Sequence, residues 1–402
     1  MSMFNIGLSG LKTTQKALEV TSHNIANSST AGFKSGSAEF ASVYNGGQRG
    51  GVDVSDIKEN FTREGGVVNT GSALDLAITG KGFFVVSENG RMAYTQAGQF
   101  GLDKNQNIIN ASGSNLQGYG IDAQGNLVPG ILTDLKIEAA NIPAEASTEV
   151  EFSLNLSSAS DIIVPPAPPV PFDPTNGSSY NYSQSTEVFD SLGNSHTLTQ
   201  YFVHTAPNTW QAHYYVDGAT LGAPSTLIFD GSGALVTPAA PATVALAYNP
   251  TTGADPMNFG VNLTNSTQFG SGFNIYKNDA DGFTAGEFAG VAVAETGEVF
   301  ATFTNGETKL QGQVVLANFA NVNGLETGNK TVWYASNESG AALYGTPDAG
   351  SFGSLLSGAY VGSNVDISEQ LVDLMAFQQN YQANAKTISS ADEMMQILFS
   401  AT

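Results

Sequence analysis

The chain has 402 residues with 12% charged residues, and its 14 Lys and Arg against 36 Asp and Glu give a formal net charge of -22. Such an acidic chain would repel a phosphate backbone, so we expect no nucleic acid partner. The sequence has no cysteine and no apolar run of the roughly 18 residues that a membrane helix needs, which excludes disulfides, cysteine nucleophiles and membrane insertion by a helix.

The first predicted element is an amphipathic helix at the amino terminus. Its seam advances in alternating steps of four and three residues, a spacing typical of coiled coils. The seam positions are Phe4, Leu8, Leu11, Gln15, Leu18, Ser22 and Ile25. This run has neither the basic start nor the continuous apolar stretch of a secretory signal peptide. We therefore expect any export of the chain to use a route without a cleaved signal peptide.

A stretch of small polar residues follows the helix and reads HNIANSSTAGFKSG over 23–36. The residues predicted to end the helix and let the backbone turn are Ser28, Ser29, Thr30 and Gly32, and Gly32 can take a positive φ without a Cβ penalty. Phe33 is then predicted to anchor the segment that crosses from the helix to the next domain.

The middle of the chain is predicted to be mostly β-structure. Aromatic and β-branched runs alternate there with turn dipeptides, of which Asn-Gly and Asp-Gly are the strongest hairpin signals. These dipeptides are Asn89-Gly90, Asp217-Gly218, Asp230-Gly231 and Asn305-Gly306.

A proline-rich segment, IIVPPAPPVPFDPTNG over 162–177, interrupts the β pattern. Such a sequence favours polyproline II and cannot occupy a central strand. We interpret it as a stiff loop in an outer domain, and a ligand for an SH3-like partner is the alternative.

A second long helix is predicted at the carboxyl terminus. Asp366 and Glu369 have the spacing of a capping box, and no Pro or Gly follows them. Its seam positions are Ile367, Leu371, Leu374, Gln378, Tyr381, Ala385, Ile388, Ala391, Met395 and Leu398. The two helices are predicted to pair as a coiled coil. The periodicity leaves open whether the apolar seams pack within one chain or between chains.

Catalytic and metal-binding patterns are weak throughout the sequence. His196, His204 and His213 lie eight and nine residues apart without a neighbouring carboxylate cluster. The stretch KNDADGFTAGEF over 277–288 resembles a calcium loop, but Lys277 and Phe288 replace the first and last ligands. We therefore predict no catalytic residue, no metal and no cofactor, and we expect that the protein is not an enzyme.

The helix exit carries a motif that resembles the amino-terminal signature of the bacterial flagellar rod and hook family of axial proteins. The matching residues are Asn24, Ile25, Ala26, Asn27, Thr30, Gly32, Phe33 and Lys34. Similar segments follow in order over 74–86, 94–119, 316–325 and 357–388. The resemblance therefore spans both flanks of the chain.

This resemblance implies an α+β, mainly β fold in which two β-rich domains are inserted between the terminal helices. The implied division is a terminal helical domain (1–30 and 362–402), a linker or extended segment (31–72), a discontinuous inner β domain (73–145 and 285–361) and an outer β domain (146–284). The helices of such proteins form an inner tube, and the middle insertion forms the outermost domain.

The chain length and the segment 185–203 favour the hook branch of the family over the distal rod branch. The implied function is that of a structural subunit, which polymerises into a curved tube and transmits torque as a universal joint. The implied partners are further copies of the chain, the distal rod protein, the hook cap, the hook-filament junction protein and the flagellar type III export apparatus. The implied location is extracellular. A distal rod component is the alternative, and a secreted β-rich adhesin or enzyme is a weaker one.

Overall fold

The computed structural model of the chain describes residues 2–45, 48–164 and 172–400, without the side chains of residues 2, 3, 45, 48, 49, 398 and 399. The predicted mainly β fold with a helix at each end is confirmed: α1 spans Ser2–Ala26 and α2 spans Ile367–Ser400. Two compact units can be distinguished. Unit 1 comprises Met1–Ala139, Gly290–Thr302 and Thr308–Thr402, and unit 2 comprises Ala140–Ala289 and Phe303–Glu307.

Thirty strands and one short 3-10 helix, Val322–Gly324, lie between the two α-helices in the part of the chain that the structure describes. The first ten strands are β1 (Gly36–Asn45), β2 (Gln48–Glu59), β3 (Val67–Asn69), β4 (Leu76–Thr79), β5 (Phe83–Glu88), β6 (Arg91–Thr95), β7 (Phe100–Leu102), β8 (Ile108–Asn110), β9 (Asn115–Ile121) and β10 (Leu127–Asp134). The next eleven are β11 (Glu149–Ser157), β12 (Tyr182–Phe189), β13 (Ser195–Ala206), β14 (Thr209–Val216), β15 (Ala219–Thr220), β16 (Ser225–Phe229), β17 (Leu235–Thr237), β18 (Thr243–Tyr248), β19 (Met257–Asn262), β20 (Thr267–Phe269) and β21 (Asn274–Ala280). The last nine are β22 (Phe288–Val293), β23 (Glu298–Phe303), β24 (Thr308–Val314), β25 (Leu316–Asn318), β26 (Glu326–Thr327), β27 (Val332–Tyr334), β28 (Leu343–Gly345), β29 (Ser354–Ser357) and β30 (Ala359–Val361).

Unit 1 is organised around a large sheet whose main path includes β24-β9-β5-β6-β27-β26. Its apolar centre is aromatic, with the ring of Phe83 edge-on to Trp333 at 5.8 Å and to Phe319 at 6.0 Å between centroids. The predicted hairpin at Asn89-Gly90 is confirmed, because both residues have positive φ (53° and 84°) in the turn from β5 to β6. The sheet thus forms where the turn chemistry and the aromatic pattern agree.

The segment predicted as a linker, 31–72, contains a long antiparallel hairpin. Its strands β1 and β2 pair from Gly36 opposite Glu59 to Asn45 opposite Gln48. Two register shifts interrupt the pairing, one after Glu39 and one after Val43. The shifts disturb the strict alternation that identifies a strand in sequence, so this hairpin was not visible in the pattern.

Unit 2 is built from two sheets that share one apolar core. One sheet contains β18-β19-β11-β20, with β21 also paired to β11, and the other contains β12-β13-β14-β16-β17. Phe152 of the first sheet stacks on Phe202 of the second, with ring centroids 6.0 Å apart. Alternate residues of β14 are fully buried, among them Trp210 and Tyr214. The range predicted for the outer domain, 146–284, falls within unit 2.

The described ends of the proline-rich segment lie on the second sheet of unit 2. The backbone N–H of Ile163 donates to the carbonyl of His204 at 2.8 Å. The ring of Phe172 stacks on His213, with centroids 4.0 Å apart and planes 13° apart. The polyproline II interpretation of 165–171 lies outside the described residues.

A five-residue turn recurs between neighbouring strands. In its clearest form, Asp122 Oδ1 accepts the backbone N–H groups of Gln124 and Asn126 at 2.9 and 2.8 Å, and Gly125 has a φ of 83°. The side-chain acceptor satisfies backbone donors that the tight turn would leave unpaired. The same pattern begins at Asp103, Asn110, Asp190 and Asp230. Part of the acidic charge is therefore structural.

These turns distinguish two of the predicted Asp-Gly dipeptides. At Asp217-Gly218 both residues have positive φ (48° and 80°). At Asp230-Gly231 the left-handed residue is instead Gly233, with a φ of 84°. A turn forms at both places, as predicted, but a side chain at position 231 meets no backbone restriction.

We predict that Gly218→Ala destabilises unit 2 by about 1 kcal/mol, because an L-residue in the left-handed region meets its own carbonyl. Nothing lies within 4 Å of the added Cβ, so the effect reports backbone strain alone. Denaturant unfolding can be followed by Trp210 fluorescence in a Trp333→Phe background, because the chain has two tryptophans.

The matched control is Gly231→Ala, which also adds a Cβ in open space but at a residue outside the left-handed region. Its expected effect is within about 0.5 kcal/mol of zero. Equal losses of unfolding free energy in the two variants would contradict the assignment of strain to Gly218.

Candidate functional site

The two terminal helices lie side by side and run antiparallel. Near the start of α1, the Cα of Gly7 faces Ile388, in the second half of α2. Near the end of α1, the side chain of Asn24 donates to Gln370 Oε1 at 2.8 Å, close to the start of α2. Among the described residues, neither helix is long and apolar enough to cross a membrane.

The buried face of α1 consists of small and polar residues. Its members advance in steps of three and four, the spacing of a heptad seam. They are Gly7, Gly10, Thr14, Ala17, Thr21 and Asn24, and Thr13 is buried beside Thr14. A Cβ on Gly10 would lie 2.7 Å from Asn384 Oδ1, so glycine allows this close approach. The hydroxyl of Thr14 donates to the Gly10 carbonyl at 2.7 Å, which satisfies its polar atom inside the contact.

The predicted apolar seam of α1 occupies a different face of the helix. Phe4 and Leu8 are 41% and 36% exposed. Leu11, Leu18 and Ile25 are half-buried. The seam therefore does not form the contact face with α2, because large side chains there would hold the helices further apart than the glycines allow. Packing of this seam between chains, which the periodicity left open, stays a prediction.

The predicted seam of α2 is divided between the two sides of that helix. Ile388 faces Gly7 of α1 and is half-buried, as is Leu374. Leu371, Tyr381 and Met395 are 45%, 37% and 45% exposed. The side chain of Leu398 lies outside those that the structure describes. The exposed apolar residues of α2, like those of α1, have no cover within the described part of the chain.

The capping box predicted for α2 is half formed. Asp366 Oδ1 accepts the backbone N–H groups of Ser368 and Glu369 at 2.9 and 3.3 Å, as a capping residue does. The side chain of Glu369 does not return to the cap but accepts from Arg63 Nη1 at 3.2 Å. Arg63 thereby ties the start of α2 to the segment after β2.

The chain leaves α1 through the predicted exit. Gly32 has a φ of 67°, and its N–H donates to the carbonyl of Val361 at 2.9 Å. A Cβ on Gly32 would lie 2.3 Å from the backbone nitrogen of Ala97, so no other residue fits without a shift. Thr30 closes the preceding turn, since its hydroxyl donates to Asn27 Oδ1 at 3.1 Å. Gly32 thus has a left-handed backbone conformation in the turn that follows α1.

Asn24, the first residue of the motif, makes three side-chain hydrogen bonds at the exit. It is 2% exposed, and its Nδ2 donates to the Gly36 carbonyl and to Gln370 Oε1, both at 2.8 Å. Its Oδ1 accepts the Gly36 N–H at 2.9 Å. Its neighbours in the motif are less buried: Ile25 is half-buried and Ala26 is exposed.

A second buried asparagine, Asn364, was missed in the sequence. It is 4% exposed and accepts the backbone N–H of Ser35 on Oδ1 at 2.7 Å. Its Nδ2 donates to the carbonyls of Asn60 and Arg63 at 2.8 and 2.9 Å. These partners lie some 300 positions away in sequence, so no local pattern could identify them.

The remaining motif residues, Phe33 and Lys34, pack beneath the exit. The half-buried ring of Phe33 lies 5.4 Å from that of His23, and its role as an anchor stays a prediction. Lys34 is 3% exposed. Burial lowers the pKa of Lys34, and Glu64 opposes this shift. A buried lysine is unusual, and no local pattern in the sequence indicates it.

The described residues contain no cluster of three or more His, Asp or Glu side chains that could hold a metal ion. His204 stacks on Trp210 at 4.5 Å, and Asp281 of the calcium-like stretch accepts the backbone N–H groups of Thr148 and Glu149. These side chains have structural partners instead of ligand geometry.

His196 joins two carboxylates in unit 2. Its Nδ1 lies 2.6 Å from Asp217 Oδ2, and its Nε2 lies 3.2 Å from Asp190 Oδ2. Burial alone would lower the pKa of His196, but the two carboxylates together outweigh it and raise the pKa. Burial alone would raise the pKa of Asp190, but hydrogen bonds from Asn194, Thr252 and His196 lower it.

Comparison with known proteins shows matches along the whole chain. Four family models match in order: "Flagella basal body rod protein" over 4–34, "Flagellar hook protein FlgE/F/G D1 domain" over 77–155, "Flagellar basal body protein FlaE D2 domain" over 155–283 and "Flagellar basal body rod FlgEFG protein C-terminal" over 356–401.

The curated relatives are similar over nearly their full length. The chain is 39% identical to the flagellar hook protein FlgE of Escherichia coli strain K12 and 36% identical to that of Salmonella typhimurium strain LT2. It is 32% identical to the flagellar hook protein FlgE of Brucella suis biovar 1. In all three cases the match covers 98% of both chains.

A solved structure is also similar. The crystal structure of the Helicobacter pylori flagellar hook protein FlgE2 has a TM-score of 0.52, and the match covers 72% of this chain and 98% of that one. At 14% sequence identity this likeness concerns the fold.

We predict that the stability of unit 2 falls as the pH rises above about 6.5, the ordinary pKa of histidine. The raised pKa of His196 means that the folded state holds this proton more tightly than the unfolded state. The contribution of His196 to stability is complete below the pKa of the unfolded state, and it disappears as the pH rises through the pKa of the folded state. The lowered pKa values of Asp190 and Asp217 act oppositely, so their contribution is lost at acid pH.

The measurement is the unfolding midpoint of unit 2 from pH 5 to 9 by Trp210 fluorescence in the Trp333→Phe background. His196→Gln should remove most of the slope above pH 6.5. His213→Gln is the matched control, because burial lowers the pKa of His213 and the structure gives it no carboxylate partner among the described residues. An unchanged slope in His196→Gln would contradict the assignment.

We also predict that Gly10→Cys together with Asn384→Cys forms an intramolecular disulfide under mild oxidation. A Cβ on Gly10 would lie 2.9 Å from Asn384 Cγ, the position that the new sulfur would take. This separation is close to what disulfide geometry requires between one Cβ and the other sulfur. The chain has no cysteine of its own, so the bond is unambiguous on a non-reducing gel.

The matched control pairs Leu8→Cys with Asn384→Cys. Leu8 is exposed and lies off the contact face, so this pair should stay reduced within one chain. Equal oxidation of both pairs would mean that α1 is not held in the observed orientation.

Proposed function

The chain belongs to the flagellar hook protein family, and we propose that the exposed seams of its terminal helices join many copies into the curved tube of the hook. Like its relatives, it is a structural subunit of the flagellar hook and not an enzyme. Its place in the cell is accordingly the flagellum. The relatives are hook proteins, which disfavours the alternatives of a distal rod component or an adhesin.

The observation that carries the assembly proposal is the pair of exposed apolar rows on α1 and α2. Leu8 on one helix and Leu371 on the other keep 36% and 45% of their surface exposed, although the helices already pair through another face. Apolar rows at heptad spacing gain free energy when they become buried. In a homopolymer the surface that buries them belongs to a second copy of the chain.

The proposed assembly assigns each part of the chain to a layer. The terminal helical domain, 1–30 and 362–402, would line the inner tube around the export channel. The inner β domain, 73–145 and 285–361, would surround it, with 31–72 connecting the two. The outer β domain, 146–284, would form the outermost layer. The acidic outer surface supports this, because no Lys or Arg occurs between Lys136 and Lys277.

Like-charged outer domains suit a joint that bends. Neighbouring acidic surfaces repel one another and form few fixed ion pairs, so they can slide as the tube changes curvature. We therefore propose that compliance in bending arises in the outer domains, while the helices keep the tube closed. We also propose that its partners are the distal rod protein, the hook cap, the hook-filament junction protein and the type III export apparatus. Export of the chain would not use a cleaved signal peptide.

We predict that Leu8→Gln or Leu371→Gln impairs polymerisation and leaves the subunit fold unchanged. Burying the exposed part of a leucine contributes about 1 kcal/mol, so each variant should raise the concentration needed for assembly by roughly fivefold. Sedimentation gives the critical concentration, circular dichroism checks the fold, and electron microscopy records whether the tubes are curved.

The matched control is Val372→Gln, which changes an apolar residue that is 60% exposed and lies off the predicted seam. It should assemble like the unaltered chain. Normal assembly by both leucine variants would refute the role of the seams. Straight tubes from the unaltered chain would refute the proposed curvature.

A further inference from the structure

We propose that Asn24 and Asn364 form a clamp that fixes the terminal helices rotationally to the β-structure of unit 1 and so carries torque between them. Asn24 belongs to α1, and Asn364 lies two residues before the cap of α2. Both side chains form hydrogen bonds with the same short stretch, Ser35 and Gly36, where β1 begins. The proposal depends on the helices forming the tube wall.

Each carboxamide of this clamp uses all of its donors. Asn24 Nδ2 donates once to the Gly36 carbonyl and once to Gln370 Oε1. Asn364 Nδ2 donates once to the Asn60 carbonyl and once to the Arg63 carbonyl. An amide offers two donors and one acceptor in one plane, so neither a carboxylate nor an apolar side chain of similar size can replace it.

The acceptors of the two amides bind consecutive backbone groups. Asn364 Oδ1 accepts the Ser35 N–H at 2.7 Å, and Asn24 Oδ1 accepts the Gly36 N–H at 2.9 Å. The start of β1 is therefore held both from the end of α1 and from the segment that leads into α2. Since both side chains are nearly buried, loss of either amide would leave polar backbone groups without partners.

The location of the clamp, at the junction between the helices and the β-structure, explains why it would affect the transmission of torque. The chain passes between the helices and the β-structure only where it crosses after α1 and before α2, and unrestrained backbone torsions at such crossings would allow the helices to rotate. The crossings are instead bonded to each other, since the Gly32 N–H donates to Val361 and the Asn364 N–H donates to Phe33. A joint with fixed ends and buried bonds resists twisting more than a flexible linker does.

The test substitutes Asn24→Asp in the full chain, expressed as the only hook subunit of a motile cell. The carboxylate loses both donors, and the Gly36 carbonyl and Gln370 Oε1 repel it from the position in which Asn24 accepts the Gly36 N–H. We expect hydrogen exchange at the Gly36 amide of purified hooks to become at least tenfold faster. We also expect the torsional spring constant of the hook, measured from the fluctuations of a bead on a stalled motor, to fall at least twofold.

The matched control is Asn27→Asp, the same chemical change three residues later in the motif. Asn27 Nδ2 donates to the His23 carbonyl within the same helix end, and its side chain has no bond to another element among the described residues. Exchange at Gly36 and the spring constant should both stay at the wild-type values.

A milder variant keeps the test decisive if Asn24→Asp prevents assembly. Gln370→Met retains the side-chain length but removes the acceptor that links α1 to α2. It should assemble and lower the spring constant in the same direction by a smaller factor.

Wild-type stiffness in Gln370→Met and in any Asn24→Asp hooks would overturn the clamp. Faster exchange at Gly36 without a change in stiffness would also overturn it, because the bonds would then be present but not carry torque. Failure of the unaltered chain to form tubes would instead count against the assembly proposal, so the two failures are distinguishable.

Discussion

The close approach of α1 to α2 is the constraint on which the rest of the structure depends. Gly7 and Gly10 leave no room for a side chain against Ile388 and Asn384, so the helices meet backbone to side chain. Because this face uses glycine, alanine and threonine, the large apolar side chains of α1 project elsewhere. One helix thereby obtains two separate surfaces: a small one filled within the chain, and a larger apolar one, with Phe4 and Leu8, that stays exposed.

The same close approach makes the junction a place of buried polar groups. A chain that must leave α1, turn sharply at Gly32 and enter β1 exposes backbone donors and acceptors next to an apolar body. Asn24 and Asn364 satisfy these groups, and the cost of leaving any of them unpaired explains why amides occupy both places. Lys34 lies under this network, where burial disfavours its charge. The polar character of the motif is thus a consequence of geometry at the joint.

Sequence reasoning succeeded where local chemistry decides the structure. The helices, the hairpin at Asn89-Gly90 and the capping role of Asp366 depend on neighbours within a few residues. It left open what the apolar seams pack against and did not identify the face that joins the two helices, because a heptad of leucines is a stronger signal than one of glycine and threonine. It missed Asn364 because its partners are distant in sequence. It also missed the β1-β2 hairpin, whose register shifts break the alternation of side chains.

These two kinds of surface differ in what can complete them. At the junction each buried amide already has a protein partner, so adding a neighbour would bring little further gain in hydrogen bonding. Along the outer rows of the helices the apolar side chains still contact water, and their burial is the favourable free energy that remains available. Assembly driven by the outer rows would therefore leave the junction unchanged. A subunit of this kind can join its neighbours without first breaking the bonds that connect its own helices to its own β-structure.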